Sequence, residues 1–155
     1  MDIASQTDAL KKENVSPKTG EESYRLDYGR PMGSKEAGHP FEMSIARIPP
    51  GKRHTSFHAH MTQWEFYYVL EGSGQMRLAE GNLQIKAGDA MMCRPGEAHQ
   101  PINDGDSDLV IQIIATNQSF DACIYPDTDT WGLIGDATPP EYRRKAFRLE
   151  ETKIE

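Results

Sequence analysis

Alternating apolar and polar positions recur through the middle of the chain and predict a series of short β-strands. Phe41, Met43 and Ile45 alternate with polar neighbours, which is the period expected of a half-buried strand. The segment 65–71 (EFYYVLE) is rich in aromatic and β-branched residues, and 109–115 (LVIQIIA) is a continuous apolar run typical of a buried strand. Clusters of glycine, proline, asparagine and aspartate separate these runs and predict tight turns.

The near-regular spacing of these strands predicts an all-β fold, either a sandwich or a barrel. No helical pattern intervenes between them, which excludes a βαβ architecture. We divide the chain into an N-terminal arm and approach segment (1–40), a β-barrel (41–125) and a C-terminal extension packed on the barrel (126–155). Residues 1–20 are polar and lack periodicity, which indicates a loosely ordered arm. Residues 141–153 fit either a short helix or a final strand.

Composition narrows the classes of partner and compartment. The 155 residues suit one domain, and 24 acidic against 17 basic residues give a formal net charge of −7. Such an acidic chain without basic blocks is not expected to bind nucleic acid or an anionic membrane. No apolar stretch approaches the roughly 18–20 residues of a membrane span, and no apolar export signal begins the sequence. We therefore expect a cytoplasmic protein whose two cysteines, Cys93 and Cys123, are reduced thiols.

The histidines carry the clearest chemical signal. His58 and His60 stand two residues apart, so in a strand their imidazoles point to the same face. Glu65 begins the next predicted strand, and a short connection can bring its carboxylate back beside them. His99 follows a break at Pro95 and can approach from another strand. Three imidazoles and one carboxylate suit a divalent metal of borderline softness and leave positions open for a ligand.

Two longer stretches around these residues resemble a known pair of motifs. Residues 51–72, GKRHTSFHAHMTQWEFYYVLEG, resemble the first cupin motif, in which H-x-H precedes a glutamate and then a glycine. Residues 88–103, GDAMMCRPGEAHQPIN, resemble the second, with its P-x-G contracted to Pro95-Gly96 and its histidine and asparagine at His99 and Asn103. On these motifs the chain is identified as a member of the cupin superfamily, of the small single-domain cupin 2 conserved-barrel type.

The resemblance implies a double-stranded β-helix, or jelly-roll, barrel with one metal ion in its mouth. It implies that His58, His60, Glu65 and His99 hold this divalent ion. Iron(II) is the favoured metal, and zinc, nickel, manganese and copper are the alternatives. The resemblance also implies a homodimer.

Strand parity predicts which other residues face the site. Counting in twos from Glu65 puts Tyr67 on the inner face and Phe66 and Tyr68 on the outer face, where a dimer partner could lie. Tyr67 is a candidate catalytic residue, with barrel core as the alternative. His54 shares the parity of the paired histidines and is a second candidate.

Glutamine and arginine residues also bear on the site. Gln112 is a polar residue within an apolar strand, so it must face either the pocket or solvent, and it is a third catalytic candidate. The second ring nitrogen of each histidine ligand needs a hydrogen-bond partner, for which backbone carbonyls, Gln63 and Gln100 are candidates. Arg77 and Arg94 are the candidates for holding an anionic substrate.

Three functions remain open at this stage, because one fold hosts many activities. The first, favoured by similarity to cupin dioxygenases with this ligand set, is a metal-dependent oxidoreductase of the non-haem dioxygenase type. The second is a redox-neutral isomerase, epimerase, decarboxylase or lyase in which the metal polarises a carbonyl or carboxylate. The third is a non-enzymatic protein that binds or senses a small ligand. In each case the expected partner is a small molecule, such as an organic acid or a sugar.

Overall fold

The computed structural model describes residues 10–15, 22–27, 38–134 and 146–148, with side chains described within 38–134. Within these ranges the regular structure is almost entirely β, and no helix is long and apolar enough to cross a membrane. The strands are β1 (Leu10–Val15), β2 (Glu22–Asp27), β3 (Phe41–Ile48), β4 (Ala59–His60), β5 (Glu65–Glu71), β6 (Ser73–Leu78), β7 (Gly81–Lys86), β8 (Ala90–Cys93), β9 (His99–Ile102), β10 (Leu109–Thr116), β11 (Asp121–Tyr125), β12 (Thr130–Ile134) and β13 (Ala146–Arg148). One 3-10 turn, Pro126–Thr128, separates β11 from β12.

The strands form three antiparallel sheets. The largest has the order β1-β2-β3-β10-β5-β8, the second β13-β12-β11-β4 and the third β7-β6-β9. An isolated bridge between His58 and His99 joins the segment before β4 to β9. The second and third sheets therefore meet at two of the predicted metal ligands. The all-β prediction is confirmed.

The core lies on the inner face of the largest sheet. Ile111 on β10 stands opposite Ala46 on β3 and Val69 on β5, and all three are completely buried. Burial of each large aliphatic side chain contributes about 1.5–3 kcal/mol to stability. These contacts bring the three central strands together and fix which face of β5 points inward. The burial pattern of β5 alternates from Glu65 to Val69 as the sequence predicts.

The N-terminal arm and approach segment contain two strands, the first of which lies within the arm that was predicted to be loosely ordered. Residues 10–15 and 22–27 form an antiparallel pair, and β2 continues the largest sheet along the edge of β3. Backbone pairing to an available sheet edge explains these strands, because it does not require a period in the side chains. At the other end, β13 pairs with β12, which agrees with the final-strand alternative. The remainder of the predicted arm and extension lies outside the described residues.

Two residues fix sharp turns next to the core. Gly72, between β5 and β6, has φ +78°, and a Cβ there would lie 2.3 Å from the carbonyl oxygen of Asp108. Only glycine therefore fits without a shift of the backbone. The Asn103 side chain donates hydrogen bonds of 2.7 Å to the carbonyls of Ile48 and Ser107, and it accepts one from the Gly105 amide. These bonds hold the connection that leads from β9 to β10.

Candidate metal centre

Three short segments bring together the four residues predicted to hold a metal. His58 directly precedes β4, His60 ends β4, Glu65 begins β5 and His99 begins β9. The His99 amide donates to the His58 carbonyl at 2.9 Å, so the backbone places these two imidazoles side by side. The contracted Pro95-Gly96 turn is tied to the same place, since the Gly96 amide donates to the carbonyl of His60 at 2.8 Å.

The side chains of these four residues converge on one oxygen atom. Glu65 Oε2 lies 3.8 Å from His58 Nε2, 3.8 Å from His60 Nε2 and 2.8 Å from His99 Nε2. We call this set, His58, His60, Glu65 and His99, the histidine–glutamate cluster. His58, Glu65 and His99 alone offer three ligand atoms that lie within 4.8 Å of one another.

The second nitrogen of each ring is held by a hydrogen bond. His58 Nδ1 lies 2.8 Å from the Ser56 carbonyl, and His99 Nδ1 lies 2.9 Å from the Glu97 carbonyl. His60 Nδ1 is bonded to a carboxylate oxygen of Asp121. An Nδ1–H that donates to these acceptors leaves the lone pair of Nε2 free to bind a metal. The donors present and their orientation fit a divalent ion of the kind that imidazole and carboxylate ligands suit.

Asp121, the first residue of β11, is a site residue that the sequence analysis missed. Its Oδ1 accepts hydrogen bonds from the Met61 amide, the Thr62 amide and the Thr62 hydroxyl at 2.8–3.1 Å, while Oδ2 faces His60. Burial opposes ionisation of this carboxyl, but the bonds from His60 and Thr62 hold its pKa below the usual value. Asp121 is therefore an ionised acceptor that orients one predicted ligand.

The glutamines proposed for this role have other partners. Gln63 Nε2 donates to the Thr116 carbonyl at 2.9 Å, and Gln100 Nε2 donates to the Thr55 carbonyl at 2.8 Å. Backbone carbonyls, the other predicted class, do hold two of the three rings. The amide groups of these two glutamines therefore donate to backbone carbonyls and not to the Nδ1 atoms of the three imidazoles.

Burial and close charges shift the pKa values within the cluster. Burial lowers the pKa of His58 to about 4, although the charge of Glu65 opposes this. Burial would raise the pKa of Glu65, but the bond from His99 and the nearby imidazoles lower it to about 2. Burial would lower the pKa of His99, but Cys93 and Glu65 raise it to about 10. Without a bound metal, an ionised Glu65 thus faces a protonated His99 and a neutral His58.

Tyr67 lies in the core and at the cluster at once. Its side chain is 1% exposed, and its ring belongs to the apolar core of the barrel. Its hydroxyl donates to Glu65 Oε2 at 3.2 Å and lies 3.0 Å from His99 Nε2. The hydroxyl is thus placed where a proton could pass to or from the carboxylate.

The other two catalytic candidates lie in different surroundings, Gln112 on the outer face of the largest sheet and His54 in a buried position. Gln112 stands opposite Ile45 and Tyr68 in the sheet, on the outer face, and its Nε2 lies 2.9 Å from Met43 Sδ. The pocket-facing alternative for Gln112 was therefore wrong, because the register of β10 turns its apolar neighbours inward. His54 is 2% exposed and its amide donates to the Pro101 carbonyl.

Strand β11 supplies a second side to the site. Asp121, Cys123 and Tyr125 alternate along it, and Cys123 stands opposite His60 in the pairing of β11 with β4. The Tyr125 ring stacks on His58 with 6.3 Å between centroids. Burial raises the pKa of the Cys123 thiol to about 12. The pattern D-x-C-x-Y in the sequence could have indicated this side of the site, because alternate residues of a strand share one face.

The two arginines predicted to hold an anion are paired with carboxylates. Arg77 makes two hydrogen bonds of 2.7–2.8 Å to Asp127, and its guanidinium lies 4.0 Å from the centre of the Phe57 ring. Arg94 is exposed and pairs with Glu97. Both guanidiniums are thus engaged at the surface, and neither contacts the histidine–glutamate cluster.

Comparisons with known sequences identify a domain around this cluster. The sequence profile described as a cupin domain matches residues 44–115, which include all four residues of the cluster. An oxalate-binding protein from Thermotoga maritima is 38% identical over 78 residues, which cover 49% of this chain and 64% of that protein. The chain spans less than two thirds of the length of the curated relatives that it matches.

Solved structures share the fold at lower identity. A sugar phosphate isomerase of a cupin superfamily from Silicibacter pomeroyi has a TM-score of 0.79 at 19% identity and covers 99% of this chain and 97% of that chain. A predicted oxalate decarboxylase from Thermotoga maritima has a TM-score of 0.65 at 24% identity and covers 74% of this chain and 98% of that chain. The predicted double-stranded β-helix barrel is thereby confirmed.

Proposed function

Because the chain belongs to the cupin superfamily, we propose that it binds one divalent metal ion through His58, His60, His99 and Glu65. The observation that carries this proposal is the position of three Nε2 atoms within 3.8 Å of Glu65 Oε2. The held Nδ1 atoms support it, because they orient the rings before any metal arrives. Iron(II) remains our first choice of metal, with zinc, nickel, manganese and copper as alternatives.

The residues around the cluster fit acid–base chemistry on a small ligand. When bound, the metal supplies Lewis acidity toward an oxygen atom of the ligand or, as iron, electron transfer with dioxygen. The Tyr67 hydroxyl can hold or move a proton at Glu65 Oε2, with which it already forms a hydrogen bond. The Tyr125 ring covers His58 and helps to exclude water from that side.

We propose a small organic acid as the ligand class and redox-neutral turnover or binding as the first candidate function. Its support is the 38% identity to a protein named for oxalate binding, together with the proton position offered by Tyr67. A carboxylate ligand would bind the metal directly and would not need Arg77, which is engaged by Asp127.

Dioxygenase chemistry is the second candidate, and one observation favours it. Three imidazoles and one carboxylate form the ligand set that the family's dioxygenases use, and these residues converge here. The two candidates differ in a measurable way, because only the second consumes oxygen.

Elemental analysis tests the proposal directly. The protein is purified without a chelator or a histidine tag, and the measurement is repeated on His58→Ala and on Asp127→Asn, a control at a carboxylate paired with Arg77. We expect about one equivalent of metal in the wild type and the control and almost none in His58→Ala, with the circular dichroism spectrum unchanged. Full metal content in His58→Ala would contradict the assignment.

Ligand assays on the metal-loaded protein then separate the two candidates. Calorimetry with oxalate and other small carboxylates tests binding, and product analysis tests redox-neutral turnover. Oxygen uptake with thiols, diketones and phenols tests the oxidoreductase. Oxygen consumption that requires Glu65 and His99 would favour the dioxygenase over the first candidate.

We also propose that the protein is a homodimer joined through the outer face of β5 and β8. Tyr68, Leu70 and Met92 there are 37–52% exposed, and Phe66 stands opposite Met92 in the sheet. Apolar side chains that are contiguous and exposed mark surfaces that bind another protein. In a symmetric dimer, the same outer face of a second copy would cover these side chains.

A further inference from the structure

A second group of metal-binding atoms lies beside the first and shares one residue with it. His58, His60 and Cys123 are buried, and each offers a ligand atom within 4.8 Å of the others. His58 is also a member of the group formed with Glu65 and His99. The two groups therefore meet at one imidazole.

The backbone sets Cys123 beside the histidines. Cys123 stands directly opposite His60 in the antiparallel pairing of β11 with β4, so both side chains project from the same face. Two residues earlier on the same face, Asp121 holds His60 through Nδ1. Strand β11 therefore positions both Cys123 and the Asp121 carboxylate that orients the His60 ring.

We propose that Cys123 is a further ligand of the metal, which thus has a sulfur donor in addition to Glu65. This inference rests on the proposed metal site, and it adds a residue that the two cupin motifs do not contain. On coordination the S–H bond breaks, sulfur keeps the electron pair and the proton leaves to solvent, with no change in oxidation state. His58, which belongs to both groups, would hold the metal together with His60, Glu65, His99 and Cys123.

A thiolate ligand changes which metals the site prefers. Sulfur is a soft donor, which selects zinc, copper(I) and iron, whereas manganese and magnesium prefer oxygen. The site with Cys123 is thus biased toward zinc and iron and against manganese. A purely packing role for this buried thiol predicts no such bias.

The chain contains a matched control. Cys93 is also free and buried, and it belongs to the apolar core; it forms a hydrogen bond with His99 but is not a member of either ligand group. Replacement of either cysteine by serine changes the same atom in a similarly buried position. Only Cys123→Ser removes a proposed ligand.

Cobalt(II) loading of the full chain after chelator treatment tests the proposal. We expect about one equivalent of cobalt, with a near-ultraviolet thiolate-to-cobalt charge-transfer band in the wild type and in Cys93→Ser. Cys123→Ser should bind cobalt but lack the band. Its zinc affinity should fall by about tenfold or more, the scale on which loss of a supporting group weakens a metal site, while its manganese affinity stays unchanged.

The outcomes separate this inference from the proposed function. Bound cobalt without the band in the wild type, or a band that persists in Cys123→Ser, overturns the sulfur ligand and leaves the histidine–glutamate site intact. An unchanged zinc affinity in Cys123→Ser also overturns it. Absence of bound cobalt in the wild type overturns the metal site itself, and the sulfur ligand with it.

Discussion

His60 Nδ1 and Asp121 Oδ2 form a hydrogen bond between residues that lie 61 positions apart in the chain. The other oxygen of Asp121 is held by two backbone amides and the Thr62 hydroxyl, so the carboxylate cannot turn freely. A fixed acceptor selects the imidazole tautomer whose Nε2 carries a lone pair. The orientation of one predicted metal ligand therefore depends on a strand that neither cupin motif includes.

Asp121→Asn is expected to weaken metal binding by about 10–100-fold, as loss of such a supporting partner does in other metal sites. The asparagine oxygen can keep the amide contacts of Met61 and Thr62, which leaves its NH2 group facing His60. That donor favours the wrong tautomer, with a proton on Nε2. Competition with a fluorescent chelator measures the affinity. Asp127→Asn serves as the control, and an unchanged affinity in Asp121→Asn would show that the bond does not orient the ring.

Glu65→Gln is expected to weaken metal binding less than His58→Ala, because the amide oxygen can still coordinate. The same substitution removes the charge and the hydrogen bond of Glu65, which raise the pKa of His99 in addition to Cys93. Imidazole NMR of the metal-free variant should therefore show a pKa of His99 well below about 10. A larger loss of metal than in His58→Ala would show instead that the carboxylate charge dominates the site.

The metal-free protein is expected to be most stable near pH 6.5. The pKa of His99 rises from 6.5 to about 10 on folding, so its contribution is complete below pH 6.5 and is lost as the pH rises through 10. The pKa of His58 falls from 6.5 to about 4 on folding, because the imidazole is buried in its neutral form. The free energy of unfolding therefore decreases as the pH falls from 6.5 to about 4. The lowered pKa of Glu65 causes a further decrease in the free energy of unfolding as the pH falls from 4.5 to about 2.

Urea unfolding of chelator-treated protein across this pH range measures the effect. Glu65→Gln should make the alkaline side of the curve less steep, because one of the two groups that raise the pKa of His99, beside Cys93, is gone. A free energy of unfolding that rises steadily from pH 6.5 to 10 in the wild type would contradict the ion pair.

Tyr67→Phe is expected to retain the metal and to lose about 0.5–1.5 kcal/mol of stability, the usual net value of a hydrogen bond. The ring stays in the core, while the hydroxyl at Glu65 Oε2 disappears. If Tyr67 moves a proton, turnover should also fall by about 10²-fold or more with KM little changed. Tyr68→Phe on the outer face is the control for both measurements. Loss of the metal in Tyr67→Phe would assign the hydroxyl to metal binding instead.

Met92→Glu is expected to convert the proposed homodimer to a monomer, because it buries a charge at the centre of the interface without a partner. Light scattering after gel filtration measures the mass. Leu83→Glu on β7, at a side chain that is 57% exposed on another sheet, should leave the dimer unchanged. A monomeric wild type would contradict the homodimer. A dimer in both variants would show that the interface lies elsewhere on the surface.

Much of the barrel could be predicted from short-range pattern alone. The alternation in β5 puts Glu65 and Tyr67 on one face, and the burial pattern of that strand confirms it. The i and i+2 spacing places His58 and His60 together in the same way. These predictions succeed because the pleat of a strand fixes side-chain direction within a few residues.

Elements that depend on pairing could not be predicted. β1 forms in a segment that has no period, because β3 supplies backbone partners to β2 and β2 supplies them to β1. Gln112 was ambiguous, since its direction follows from the register of β10 against β3 and β5 and not from its neighbours in sequence.

The sequence by itself determined the all-β class and the identity of the four residues in the histidine–glutamate cluster, because strand period and motif spacing are local. Only the tertiary structure decided that Asp121 orients His60 and that Cys123 lies beside it. The reason is physical: the placement of β11 against β4 depends on packing and backbone pairing across about sixty intervening residues. No pattern within a single strand records which other strand will lie next to it.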